Sequence, residues 1–114
     1  MGLDAYGKVK SPEGEVEEIA YWRKHNALHG WMESLYRKKG GTEEFNCVPL
    51  ELNETDLELL ELVVTSGMLP ETQGFFFGGD TRFCEDYKEQ TLEFIRRARK
   101  YLSRGWEVAY DSWW

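Results

Sequence analysis

The stretch 85-EDYKEQTLEFIRRARKYLS-103, followed by 104-RGWEVAYDSWW-114, decides the fold. Tyr87, Leu92, Ile95, Ala98, Tyr101 and Leu102 supply the apolar positions of a helix over residues 85–103. Glu85, Asp86, Glu89 and Glu93 crowd its start, and Arg96, Arg97, Arg99, Lys100 and Arg104 its end. That order complements the helix macrodipole, so these charges need no further role. Gly105 ends the helix. Trp106, Val108, Tyr110 and Ser112 then alternate along a closing strand over 106–114. A helix feeding directly into a half-buried strand calls for a sheet with helices packed on it.

Working back from there, Phe75-Phe76-Phe77 reads as a short buried strand, and 78–81 (GGDT) as a tight loop. Asn53 caps an earlier helix, with Asp56 at its N3 position. Leu57, Leu60 and Val64 share one face of that helix, and Leu59, Leu62 and Val63 widen it. Gly67 and Pro70 stop it. Phe45–Leu52 reads as a short strand that Pro49 places at an edge or a bulge. A first helix is expected from Tyr21 to Lys38, with Leu28, Trp31, Met32 and Leu35 as its stripe and Gly40-Gly41 as its end. Residues 3–10 read as a strand, and Ser11-Pro12-Glu13-Gly14 as a turn. The 15–20 stretch (EVEEIA) completes a hairpin, with Val16 inward and Ile19 out of phase. The fold class expected is α+β: one small, mostly antiparallel or mixed sheet packed against about three helices, in a single domain over 1–114.

The net charge of −7 disfavours direct nucleic-acid binding, which needs a basic footprint, and it disfavours anionic membrane surfaces. No apolar run approaches the roughly 20 residues of a membrane-spanning helix. The opening Met1-Gly2-Leu3-Asp4 lacks the character of a signal peptide. The two cysteines, Cys47 and Cys84, are widely spaced and read as reduced thiols of a cytoplasmic protein. No cofactor is expected.

The densest recognition chemistry lies in Tyr21–Met32. On a helix, Trp22, Asn26, His29 and Glu33 would form one row. Such a row offers a stacking ring, an amide and an imidazole, and Arg23 adds a planar cation. Trp31 is a second stacking ring, and Gln73 is the polar contact expected from the 72–83 segment. The ligand-binding set expected is therefore Trp22, Arg23, Asn26, His29, Trp31 and Gln73. His25 and His29 have the spacing of helical metal ligands, but no further histidine completes a site, so no metal is expected. No nucleophile elbow, Walker loop or dinucleotide fingerprint is present, which argues against catalysis. Cys47 or Cys84 with His29 would be a reactive pair only if the fold joined them.

Between Lys39 and Arg82 there is no Lys or Arg. That stretch holds nine acids, among them Glu54, Glu58 and Glu61 on the second helix. It reads as a solvated acidic face, or alternatively as a surface that docks on a basic protein. The C-terminal Trp113-Trp114 closes the core or forms a homodimer interface.

Taken together, the opening Met1–Asp4, Tyr21–Lys24 with Asn26, His29 and Trp31, Thr72-Gln73 before Phe75–Gly78, and Tyr110 with Ser112-Trp113 resemble a group of small uncharacterised proteins encoded by bacteriophages and prophages. The likeness runs over nearly the whole chain. His25 stands where a small residue is expected and is discounted as a functional position. The resemblance implies a context rather than an activity: an accessory protein in the cytoplasm of a bacterial host, acting against host defences. It would either sequester a small, nucleotide-like signal without catalysis or block a host protein. A small hydrolase using His29 as general base is the remaining alternative.

Overall fold

A computed structural model describes residues 3–70 and 84–113. The elements are β1 (Asp4–Lys10), β2 (Val16–Arg23), α1 (Asn26–Lys38), β3 (Leu50–Leu52), α2 (Glu54–Thr65), α3 (Glu85–Leu102) and β4 (Glu107–Trp113). The sheet order is β2-β1-β4-β3, and every neighbouring pair is antiparallel. The protein is α+β, as its pattern indicates. The expected strand at Phe75–Phe77 lies outside the described residues.

The first hairpin forms where the turn residues place it. Ser11 accepts from Glu15 N–H through its hydroxyl at 2.9 Å. Gly14 takes φ +96°, which an L side chain rarely adopts. Along β2 the alternation slips once. Gly7 pairs with Ala20 and Lys8 with Glu18, so Ile19 is an extra residue without a partner on β1. This bulge corrects the expected phase. Ile19 is buried, while Val16 faces solvent at 61% exposure.

The bulge also leads β2 further than the sequence suggests. Tyr21, Trp22 and Arg23 pair with Tyr6, Ala5 and Asp4, completing the ladder. Lys24 then takes φ 58°, which ends the strand, and α1 begins at Asn26 rather than at Tyr21. The physical reason is the side-chain alternation of a strand. Tyr21 is exposed, Trp22 fully buried and Arg23 exposed, which is period two, not the period of a helix.

β3 is likewise shorter than the expected Phe45–Leu52. Phe45 is buried, but in a loop, stacked on Tyr36 with ring centres 4.9 Å apart. Cys47 at φ 59° breaks any extended run, and Pro49 offers no N–H to pair.

α2 starts with the expected reciprocal cap. Asp56 N–H donates to Asn53 Oδ1 at 2.9 Å, and Asn53 N–H donates to Asp56 Oδ2 at 3.0 Å. Leu57, Leu60 and Val64 enter the core. Leu59 and Leu62, expected to widen that face, point outward at 47% and 63% exposure.

α3 lies across one face of the sheet, α2 packs on α3 and against β3, and α1 reaches the same face through His29 and Tyr110. Phe94 of α3 meets Trp22 edge-on, with ring centres 5.1 Å apart, and lies against Gly7. Two α3 side chains also close the β2 edge: Arg97 donates to Ile19 O at 2.9 Å, and the Tyr87 hydroxyl donates to Arg23 O. An edge held this way offers fewer free groups for pairing with another chain. The opposite face of the sheet is open to solvent and carries the Lys8–Asp111 ion pair and the Tyr6–Tyr21 ring contact. Among the described residues no helix is long and apolar enough to cross a membrane.

Candidate functional site

Seven polar or charged side chains are buried among the described residues. Five of them, His25, Asn26, His29, Thr91 and Ser112, lie toward a single end of the sheet, where His25, His29 and Thr91 are linked through aromatic rings, Asn26 follows His25 in the chain and Ser112 lies level with Trp22. There β2 and β4 end, and α1 and α3 begin.

The cluster is built through rings. Trp22 Nε1 donates to Thr91 Oγ1 at 3.2 Å, and the Thr91 hydroxyl donates to Tyr87 O at 2.8 Å. The Tyr87 ring lies flat against His25, with centres 4.5 Å apart and planes 8° from parallel. Trp22 also approaches Tyr110, and the Tyr110 hydroxyl lies 3.0 Å from His29 Nδ1. His29 stacks on Phe45 at 5.1 Å. Ser112 faces the same side, level with Ala5 and Trp22 across the strands. Its hydroxyl finds no hydrogen-bond partner among the described residues.

Burial sets the electrostatics. It lowers both His25 and His29 to about 4, so both imidazoles are neutral at neutral pH. It raises the Tyr110 phenol well above its ordinary value. Tyr87 is also raised, by burial first and then by the neighbouring Cys84 thiol. The cluster therefore presents neutral donors and acceptors in a poorly solvated setting, where hydrogen bonds are stronger than in water. An imidazole at about 4 is a weak general base at neutral pH.

Two residues in the left-handed region flank this end. Lys24, at φ 58°, donates its N–H to Leu3 O at 2.7 Å. Cys47, at φ 59°, donates its N–H to Ser112 O at 2.7 Å. Such conformations in residues other than glycine cost of order 1 kcal/mol each and persist where surroundings impose them.

The structure redistributes the expected ligand set. Asn26 and His29 are in the cluster, at 0% and 3% exposure. Trp22 joins them from the strand, not from a shared helical row, and is fully enclosed, so it cannot serve as an open stacking surface. Arg23 is exposed and Trp31 half-buried. Gln73 lies outside the described residues. Thr91, Ser112, Tyr87 and Tyr110 belong to the cluster but not to the expected ligand set. The signal was present: Tyr87, Thr91, Phe94, Ile95 and Ala98 form the inner stripe of α3, and a threonine inside such a stripe calls for a polar partner. His25, discounted as a functional position, is stacked inside the cluster.

The acidic set is not free of basic partners. Arg99 of α3 reaches both Glu54, at 3.2 Å, and Glu61, at 3.1 Å. Glu58 is exposed. Among the described residues no three His, Cys, Asp or Glu side chains gather as a metal-holding group.

The segments Tyr21–Trp31 and Tyr110–Trp113 meet in this cluster through His29 and Tyr110. Comparison of the chain with protein-family models, with curated proteins and with solved structures gives no match.

Proposed function

We propose that the protein binds a small polar ligand of nucleotide-like kind at the polar end of its sheet, without transforming it. The observation that carries this reading is the gathering of His25, Asn26, His29, Thr91 and Ser112, all buried, where the outer ends of β2 and β4 meet the starts of α1 and α3. Burying polar groups is costly, and a domain of this size can fill a core with apolar side chains alone. Concentrating those groups at one end is the pattern of a binding site, in which few polar groups fix the orientation of a ligand. Arg23 and Lys24 place two exposed cations beside them, in a chain that is otherwise acidic. Arg23 would meet the anionic part of the ligand and Trp31 its planar part. Asn26 and His29 set the polarity beneath.

Sequestration is favoured over hydrolysis because both imidazoles of the cluster, His25 and His29, are held neutral and weakly basic by burial. In the setting that the resemblance implies, the ligand is a host defence signal in the bacterial cytoplasm.

The test is titration calorimetry and thermal shift with a panel of nucleotides and cyclic nucleotides. Binding by the wild-type chain, with loss of about tenfold or more in Arg23→Ala at unchanged fold, is expected. No stabilisation across the panel, or equal binding by Arg23→Ala and His29→Gln, overturns the reading. Product formation from a bound nucleotide replaces it with the hydrolase alternative.

A further inference from the structure

α2 carries two apolar faces where the core uses one. Leu57, Leu60 and Val64 are buried, yet Leu59, Leu62 and Met68 are exposed at 47%, 63% and 72%. One exposed leucine is ordinary. Here three large apolar side chains occur within ten residues, and Leu59 and Leu62 are neighbours on the helix surface. With Thr55, Glu58, Glu61 and Thr65 those two leucines line a shallow groove of about 500 Å³.

The charged residues that line the groove, Glu58 and Glu61, are both acidic. Glu54, Glu58 and Glu61 all lie on α2, and Arg99 offsets only one of the three carboxylates while bridging two of them. No Lys or Arg lies anywhere in the sequence from residue 40 to residue 81. A second copy of this chain packed face to face would bring its own carboxylates against these. The complement of an apolar stripe rimmed by carboxylates is an apolar stripe rimmed by cations.

We infer that the outer face of α2 is a docking surface for a basic amphipathic helix of a partner protein, with Leu59 and Leu62 as apolar anchors and Glu58 as the freely available charge. Docking of this kind lays one helix along another through residues at helical spacing. Glu54 and Glu61 act with Arg99 as a fixed rim. The α2 surface is separate from the polar end of the sheet, so the two readings stand or fall independently.

The probe is a synthetic Leu/Lys helix of about four turns, titrated into the isotope-labelled full chain and followed by NMR. A Leu/Glu peptide of the same pattern is the control. Amide shifts on α2 are expected with the Leu/Lys peptide only, weakening as salt is raised. Leu59→Gln/Leu62→Gln, chosen because glutamine keeps helix propensity, is expected to weaken binding about tenfold or more at an unchanged melting point. Glu58→Lys is expected to weaken it by a smaller factor. Failure of the Leu/Lys peptide to bind the wild-type chain overturns the inference, as does equal binding by the leucine double variant or by the Leu/Glu peptide. Self-association of the wild-type chain in sedimentation, lost in the double variant, would assign the face to a second copy and also overturn it.

Discussion

The Tyr110 hydroxyl lies 3.0 Å from His29 Nδ1. One group comes from the central strand β4 and the other from the first turns of α1, and both are shielded from water. Both are neutral, since burial raises the phenol and lowers the imidazole. Tyr110→Phe keeps the ring packing against Trp22 and Phe45 and removes only the hydroxyl. The expected loss is roughly 1–3 kcal/mol, because the imidazole nitrogen is left buried without this partner. Chemical denaturation measures it. A loss below about 0.5 kcal/mol would show that the contact contributes no net stability.

The two histidines make stability depend on pH with a definite sign. Each has a folded value near 4 against the ordinary 6.5. The unfolded chain therefore binds protons first, so stability is full above 6.5 and is lost as pH falls toward 4. Between about pH 7 and pH 5 the loss is roughly 2 kcal/mol per histidine. Most of this window lies above the ordinary carboxylate range, which isolates the effect. Melting temperatures across it should fall steeply for the wild-type chain and much less for His25→Gln/His29→Gln. Parallel curves for the two proteins would show that neither imidazole is held in its neutral form by the fold.

Particular residues show what the sequence disclosed. Asn53 with Asp56, Gly67 and the charge order of 85–104 state their elements locally, so α2 and α3 could be located without the structure. Tyr21-Trp22-Arg23 were expected in the first helix and belong to β2, because three residues satisfy both a strand and the first turn of a helix. Only pairing with Asp4–Tyr6, a non-local event, decides for the strand. Val16 and Ile19 were misphased for the same reason, since a bulge opposite Gly7 is invisible along one strand. Asn26 and His29 stood out as polar groups in an apolar pattern. Thr91 and Ser112 became part of the site only once β4 and α3 closed on them. Leu59 and Leu62 looked like core, and only the position of α3 shows which face of α2 is used.

Gly7 is fixed by its neighbour on α3. A Cβ added there would stand 2.5 Å from Phe94 Cε1 and 2.6 Å from Cδ1. Phe94 is fully enclosed and packed on Trp22, so its ring cannot swing away freely. Gly7→Ala is expected to cost roughly 1–3 kcal/mol by overpacking. Phe94→Leu removes the clashing ring edge at its own cost. The double variant should therefore be more stable than the sum of the two single losses by about 1 kcal/mol. Strict additivity would place the glycine requirement in the backbone instead of in the ring.

Asp56 joins three elements through one carboxylate. Its Oδ2 accepts from the Asn53 N–H at 3.0 Å and from Lys39 Nζ at 2.5 Å. Lys39 Nζ also donates to Glu51 O at 2.7 Å, so the end of α1 is tied to β3 and to the start of α2. The Asp56 side chain is 8% exposed and that of Lys39 35%, so this pair is better shielded than the Glu33–Arg37 pair on the surface of α1. Asp56→Ala removes half of the helix cap and the ion pair together, with an expected loss of roughly 2–3 kcal/mol. Asp56→Asn keeps an oxygen for the Asn53 N–H and should lose about half as much. Lys39→Ala isolates the charge. In a double-mutant cycle of Asp56→Ala with Lys39→Ala, a coupling of about 1 kcal/mol is expected, at the upper end of the range usual for exposed pairs. Coupling indistinguishable from zero would leave Asp56 as a helix cap alone and would remove Lys39 from the account of how α1 is held to the sheet.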